Sequence, residues 1–271
     1  MPALLHRAVP QDGEPGRRPG RRRGGPGATQ GLIIDFRFVA NGDARIRYLD
    51  SGGDDAVPPV VFVPGFTCVA DDYVDALPSF GRRTVVVELR GHGHSVAPHG
   101  PYDAQTVAGD VGAVVDAVTD GPIHLVTFSR GTTYALLWAL ADTGRVRSVS
   151  IGDYLPEEIV LPAEHTTAVL DGRWRGTPVH ERLDRTAALA TLDAAVARSL
   201  WEPLAHWNPP LLAVRSPTGP IVDDATWARY RAVFPDARLH EFADSPHDIF
   251  RPDRGRFPGL VRQLIDAVDG A

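Results

Sequence analysis

The stretch Ile123–Leu140, IHLVTFSRGTTYALLWAL, decides how the rest of the chain is read. An apolar, strand-like run passes straight into a helical one, with Ser129 at the junction. A serine there is either the N-cap of the helix, a common use of that residue, or a nucleophile displayed on a sharp strand-to-helix turn. The second reading asks for small residues two positions either side, where strand and helix crowd together. Gly131 meets that demand, and Thr127 stands where a first glycine is usual.

Outward from this stretch the chain alternates. LIIDFRFVA and ARIRYLDSG read as two strands joined through the turn signal Asn41-Gly42, a hairpin. PPVVFVPGF, RRTVVVELRG, IHLVTF, RVRSVSIGD, PPLLAVRS and ARLHEFAD read as further strands, several of them the continuous apolar runs of a sheet covered on both faces. DDYVDALPSF, AQTVAGDVGAVVDAVT, GTTYALLWALADTG, DDATWARYRAVF and FPGLVRQLIDAVDG read as helices between and after them. Strands alternating with helices predict an α/β fold with a mostly parallel sheet, whose chemistry gathers at the carboxyl ends of the strands.

Two segments break this rhythm. Residues 155–209 are too long for a connection and contain helical stretches within LDRTAALATLDAAVARSLWEPLAHW, so they predict a helical cap over a core of 31–154 and 210–271, with elaborated crossover helices the other reading. Residues 1–30 are rich in Gly, Pro and Arg and predict a disordered tail; a basic arm for a polyanion and a start codon assigned too far upstream are the other readings.

Bulk composition narrows the function classes. The net charge of −6 gives no global bias toward nucleic acid or anionic membranes. The 28 basic residues are all arginine, the mark of a GC-rich coding bias. The single cysteine, Cys68, excludes an internal disulfide and a cysteine-rich zinc site; it reads as a small packing residue and fits a reducing, cytoplasmic setting. No apolar run is long enough to span a membrane.

The other chemical signals follow strand ends. Pro64-Gly65-Phe66-Thr67 places a sharp turn after VVFV, so the Phe66 and Arg130 backbone N–H groups could together face an oxyanion. ELRGHGHS suits a tight loop beside the site; nothing near His92 and His94 completes a metal-ligand set. His247, in FADSPHDIF, lies near the last helix and is the candidate general base. For the acid, Asp153 ends the RVRSVSIGD strand, whereas Asp223 reads as the N-cap of a helix.

Together, PGFT, ELRGHGHS, TFSRG and SPHD, in this order and each after the expected strand, resemble the α/β-hydrolase fold superfamily in its serine-nucleophile branch. The resemblance covers the chain from about Gly31 onward. It implies an eight-stranded sheet flanked by helices, a Ser129–His247–acid triad, no cofactor, no metal, and a cap that selects a small-molecule substrate. The acid departs from the commonest pattern: the loop after LLAVRS reads Pro217-Thr218-Gly219-Pro220 and lacks a carboxylate. Asp153 is the expected acid, with Asp223 the alternative. Thr67, Tyr154, Trp174, Trp201 and Trp207 are the expected pocket residues. The implied function is hydrolysis of an ester, thioester or related acyl bond through an acyl-enzyme. A hydrolase-fold receptor with little turnover and a cofactor-free carbon–carbon hydrolase or lyase are the alternatives.

Overall fold

The computed structural model describes residues 34–219 and 221–271; the expected N-terminal tail lies outside the described residues. Eight strands form one sheet: β1 (Asp35–Asn41), β2 (Ala44–Asp50), β3 (Val60–Val63), β4 (Thr84–Val87), β5 (Ile123–Phe128), β6 (Val146–Gly152), β11 (Leu211–Arg215) and β12 (Arg238–Glu241). Their order is β1-β2-β4-β3-β5-β6-β11-β12. β2 runs antiparallel to both its neighbours, β1 and β4, and the other pairings are parallel, with β5 near the centre.

Alternation within the buried strands feeds two cores. Val61, Val63, Val85, Val87 and Leu125 belong to one apolar cluster, while Val60, Phe62, Val86 and Val126 belong to the other. Successive side chains of a strand point to opposite faces, so a run such as VVFV must be covered on both. α1 (Ala104–Val118), α2 (Gly131–Ala141) and α6 (Asp224–Val233) bury residues in the first cluster; α7 (Arg256–Asp269) closes the second with Phe257, Val261, Leu264 and Ile265.

Two local expectations are corrected. The hairpin turn is Gly42-Asp43, one residue later than Asn41-Gly42, because Asn41 pairs with Ala44 and Gly42 takes the left-handed conformation at φ +61°. DDYVDALPSF forms two short 3₁₀ turns, Ala70–Tyr73 and Leu77–Phe80, instead of a helix. Pro78 lacks the N–H that a continuous helix would use there.

The segment joining β6 to β11 carries α3 (Ala163–Leu170), α4 (Arg185–Asp193) and α5 (Trp201–Trp207). The helical stretches expected there are α4 and α5, separated by a strand, β10 (Arg198–Ser199), which pairs with β7 (Glu157–Glu158). A second ribbon joins β8 (Arg173–Trp174) to β9 (Thr177–Pro178). No helix among the described residues is long and apolar enough to cross a membrane.

Candidate active site

The turn between β5 and α2 is sterically crowded. Ser129 adopts φ +51°, a left-handed conformation that costs a non-glycine residue energy. Its neighbours explain why glycine is required around it. A Cβ on Gly131 would lie 2.2 Å from the Pro64 carbonyl oxygen, and one on Gly65 would lie 2.7 Å from the Ser129 Cβ. Thr127 is accommodated because its hydroxyl is satisfied, 2.9 Å from the Thr132 hydroxyl and 3.3 Å from the Ser150 carbonyl.

Ser129, His247 and Asp153, far apart in sequence, meet at the carboxyl ends of the strands. The Ser129 hydroxyl lies 2.9 Å from His247 Nε2, and His247 Nδ1 lies 2.7 Å from Asp153 Oδ2. A proton on Nδ1 donated to the carboxylate leaves Nε2 free to accept from the serine. Asp153 is fully buried at φ +43°, and its other oxygen accepts the Ser216 backbone N–H at 2.8 Å. The loop after β11, which lacks a carboxylate, thus supplies an amide to the acid that ends β6. Thr218 Oγ1 also donates to the Ser245 carbonyl at 2.5 Å, tying that loop to the one bearing His247. The His247 ring stacks on Phe128, with centroids 5.0 Å apart. Asp223 caps α6, accepting the Thr226 N–H at 2.7 Å, and is not the partner of His247.

Beside Ser129, the Phe66 and Arg130 backbone N–H groups donate to no acceptor among the described residues. The next residue, Thr67, is held in a left-handed conformation at φ +74°. Its N–H donates to His92 Nε2 at 3.4 Å, and its carbonyl accepts from Arg182 Nε at 2.8 Å. His92 Nδ1 lies 3.0 Å from the Arg90 carbonyl, so the neutral ring donates there and accepts from Thr67. Burial pushes the His92 pKa down to about 4, which keeps the ring in that neutral form. His92 is therefore a structural residue, buried beneath the Phe66-Thr67 turn. Cys68 is buried and burial pushes its thiol up to about 12, which leaves it unactivated.

A cavity of about 270 Å³ opens onto the serine. Thr67, Tyr154 and Trp174 line it, together with Phe66, Phe128, Leu161, Val169, Val179 and Ile221. Trp201 and Trp207 do not. Trp201 is buried edge-on against Tyr230 at 4.7 Å and its indole N–H donates to Glu157; Trp207 joins the same core cluster. The Trp201 ring packs α5 against Tyr230 and Phe234 of the α6 region, a role for which an aromatic serves as well as it does in a pocket. Leu161, Val169, Val179 and Ile221 carry no sequence signal that separates pocket from core. Among the described residues no His, Cys, Asp and Glu cluster suited to a metal ion occurs.

A family model described as alpha/beta hydrolase fold matches residues 58–151. Over 120 residues the chain is 34% identical to a non-heme chloroperoxidase of Streptomyces lividans, a match that spans 43% of each chain. Solved structures resemble most of it at low identity. A thermophilic esterase from Thermogutta terrifontis aligns with a TM-score of 0.71 at 16% identity, over 86% of this chain and 99% of that one. The enol-lactonase from Burkholderia xenovorans LB400 aligns at 0.70 and 18%, over 84% and 99%. E-2-(acetamidomethylene)succinate hydrolase aligns at 0.68 and 20%, over 88% and 100%.

Proposed function

We propose that this chain, which has the α/β-hydrolase fold, is a serine hydrolase that cleaves an ester, thioester or related acyl bond of a small substrate. The observation that carries the reading is the continuous chain from the Ser129 hydroxyl through both nitrogens of His247 to the buried Asp153. The solved neighbours named as an esterase and an enol-lactonase support an acyl bond as the target.

In this mechanism His247 Nε2 takes the Ser129 proton as Oγ attacks the scissile carbonyl. Asp153 holds the ring in the required tautomer and balances the imidazolium. The tetrahedral oxyanion accepts from the Phe66 and Arg130 N–H groups, each worth about 2.7–4 kcal/mol in comparable sites. On collapse, the imidazolium protonates the departing alkoxide or thiolate, leaving an acyl-serine. His247 then deprotonates a water that attacks this ester, and the same proton returns to Ser129 as the acid leaves. The volume of about 270 Å³ favours short acyl groups. A receptor without turnover would suit a site that lacks an acid, and the contact of Asp153 with His247 supports turnover instead.

The test is turnover of a panel of short p-nitrophenyl and thio-esters by the full chain. Release of product that Ser129→Ala abolishes is the expected result. Hydrolysis that survives this substitution contradicts the mechanism.

A further inference from the structure

Five arginines are buried among the described residues: Arg47, Arg90, Arg130, Arg182 and Arg215. Four of them face carboxylates. Arg47 lies 2.6 Å from Asp71, Arg90 2.6 Å from Asp110 and Arg215 2.8 Å from Asp224, while Arg182 pairs with Asp72. Pairing of this kind is what a guanidinium withdrawn from water ordinarily requires.

Arg130 breaks the pattern. Its Nε donates to the Tyr134 hydroxyl at 3.1 Å and its Nη1 to the Ile159 carbonyl at 2.9 Å, both neutral oxygens. No carboxylate among the described residues lies within 4.0 Å of it. Nor does its Nη2 have a hydrogen-bond partner among them. The acid whose field reaches it is Glu158, which accepts the Val196 N–H at 3.1 Å and lies 3.7 Å from Arg198.

Arg130 also follows Ser129 directly and lines the cavity above it. Arg173 also borders the cavity but is exposed and donates to the Gly176 carbonyl at 3.0 Å, and no Asp or Glu lines the cavity among the described residues. Arg130 is thus a buried guanidinium beside the serine with no carboxylate in contact with it among the described residues.

We propose that the substrate supplies its counter-ion: the site takes acyl compounds with a free carboxylate a few bonds from the scissile carbonyl, and Arg130 anchors that carboxylate. This deepens the serine-hydrolase reading and rests on it. Guanidinium and carboxylate match in shape and charge, and the pair strengthens where water is excluded. The apolar wall of Leu161, Val169, Val179 and Ile221 suits the short methylene chain between the two ends.

The test compares mono-p-nitrophenyl succinate, glutarate and adipate with neutral p-nitrophenyl esters of matched length. At least one half-ester should exceed its neutral match in kcat/KM by about tenfold or more, the scale of one charged hydrogen bond. Arg130→Gln should collapse this ratio, and Arg130→Lys should restore part of it. A separate binding measurement on Ser129→Ala, using the monomethyl dicarboxylates, needs no turnover. There Arg130→Gln should weaken binding about tenfold or more. Neutral esters matching or beating every half-ester, or a ratio and affinity untouched by Arg130→Gln, overturn the proposal. Carboxylate binding that depends on Arg130 in a protein that hydrolyses no ester would overturn the hydrolase reading alone.

Discussion

Arg175 grips Asp248, the residue after His247, through two parallel hydrogen bonds of 2.7 and 2.8 Å. The arginine sits at the tip of the β8–β9 ribbon at φ +50°, and its Nη1 reaches the Asp72 carbonyl at 2.6 Å. The preceding residue, Trp174, places its ring 6.2 Å from that of His247. Further along the same segment, Arg182 bonds the Thr67 carbonyl and the Asp72 carboxylate. The segment between β6 and β11 is thus fastened to both loops that carry the candidate chemistry, the one bearing His247 and the one bearing Phe66.

Arg175→Gln should therefore disturb more than the ribbon. Removing one partner of a buried ion pair costs about 3–5 kcal/mol. Arg251, 3.4 Å from Asp248, compensates in part. A loss near the lower end of that range corresponds to a fall in Tm of about 5–10 °C. Thermal denaturation checks it, and kcat should fall more than KM rises because His247 loses its orientation.

Neutralising the acid gives a sharper contrast. Asp153→Asn should lower kcat by about 10⁴-fold, since the histidine would lose its tautomer and counter-charge. Asp223→Asn, an exchange between two good N-cap residues at a position hydrogen-bonded to its own helix, should leave kcat unchanged. Steady-state kinetics on the two variants decide the matter, and the opposite ranking would reassign the acid.

Steric crowding at the elbow predicts two different glycine phenotypes. Gly65→Ala places a Cβ 2.7 Å from the Ser129 Cβ, so the side chain must shift and turnover should drop in a folded protein. Gly131→Ala meets the Pro64 carbonyl oxygen at 2.2 Å and the Val63 carbonyl oxygen at 2.5 Å, backbone atoms that cannot give. It should yield little folded protein, as circular dichroism and soluble yield would report.

Acid stability should report the buried histidines. Burial holds His92 and His124 at about 4, below the 6.5 of an exposed ring. Above pH 6.5 neither the folded nor the unfolded chain protonates them, so the fold carries no penalty. As the pH falls from 6.5 toward 4 the unfolded chain takes up protons that the fold refuses, and stability declines. For His92 alone the decline approaches ~3 kcal/mol. Denaturant titrations from pH 7 to pH 4 should show this slope, and His92→Gln should reduce it by about half, leaving the share of His124. A slope unaltered in that variant would contradict the neutral, buried ring.

Much of this architecture is legible in the chain because local chemistry and global position agree. VVFV, TVVV and IHLVTF can only be strands covered on both faces, and the Ser129-Arg130-Gly131 turn needs a strand before it and a helix after it. Position in the sheet then directs attention to Asp153 and His247. What the sequence conceals is long-range. Nothing local distinguishes Trp174, which lines the cavity, from Trp201, which fills the core, since both are large, apolar and set in one segment. Arg175 and Arg182 look like any others in an arginine-rich chain until folding brings Asp248 and Asp72 to them. Turn register is fixed by the pairing of Asn41 with Ala44, a two-strand property that the dipeptide Asn-Gly does not contain.

The central claim is that Ser129 is a nucleophile activated by His247. Its most direct test is mass spectrometry of the folded chain after exposure to a fluorophosphonate at neutral pH. The account predicts a covalent adduct on Ser129 that forms rapidly in the native protein and far more slowly in His247→Gln. An unmodified Ser129, or an adduct that forms equally fast without the imidazole, would contradict it.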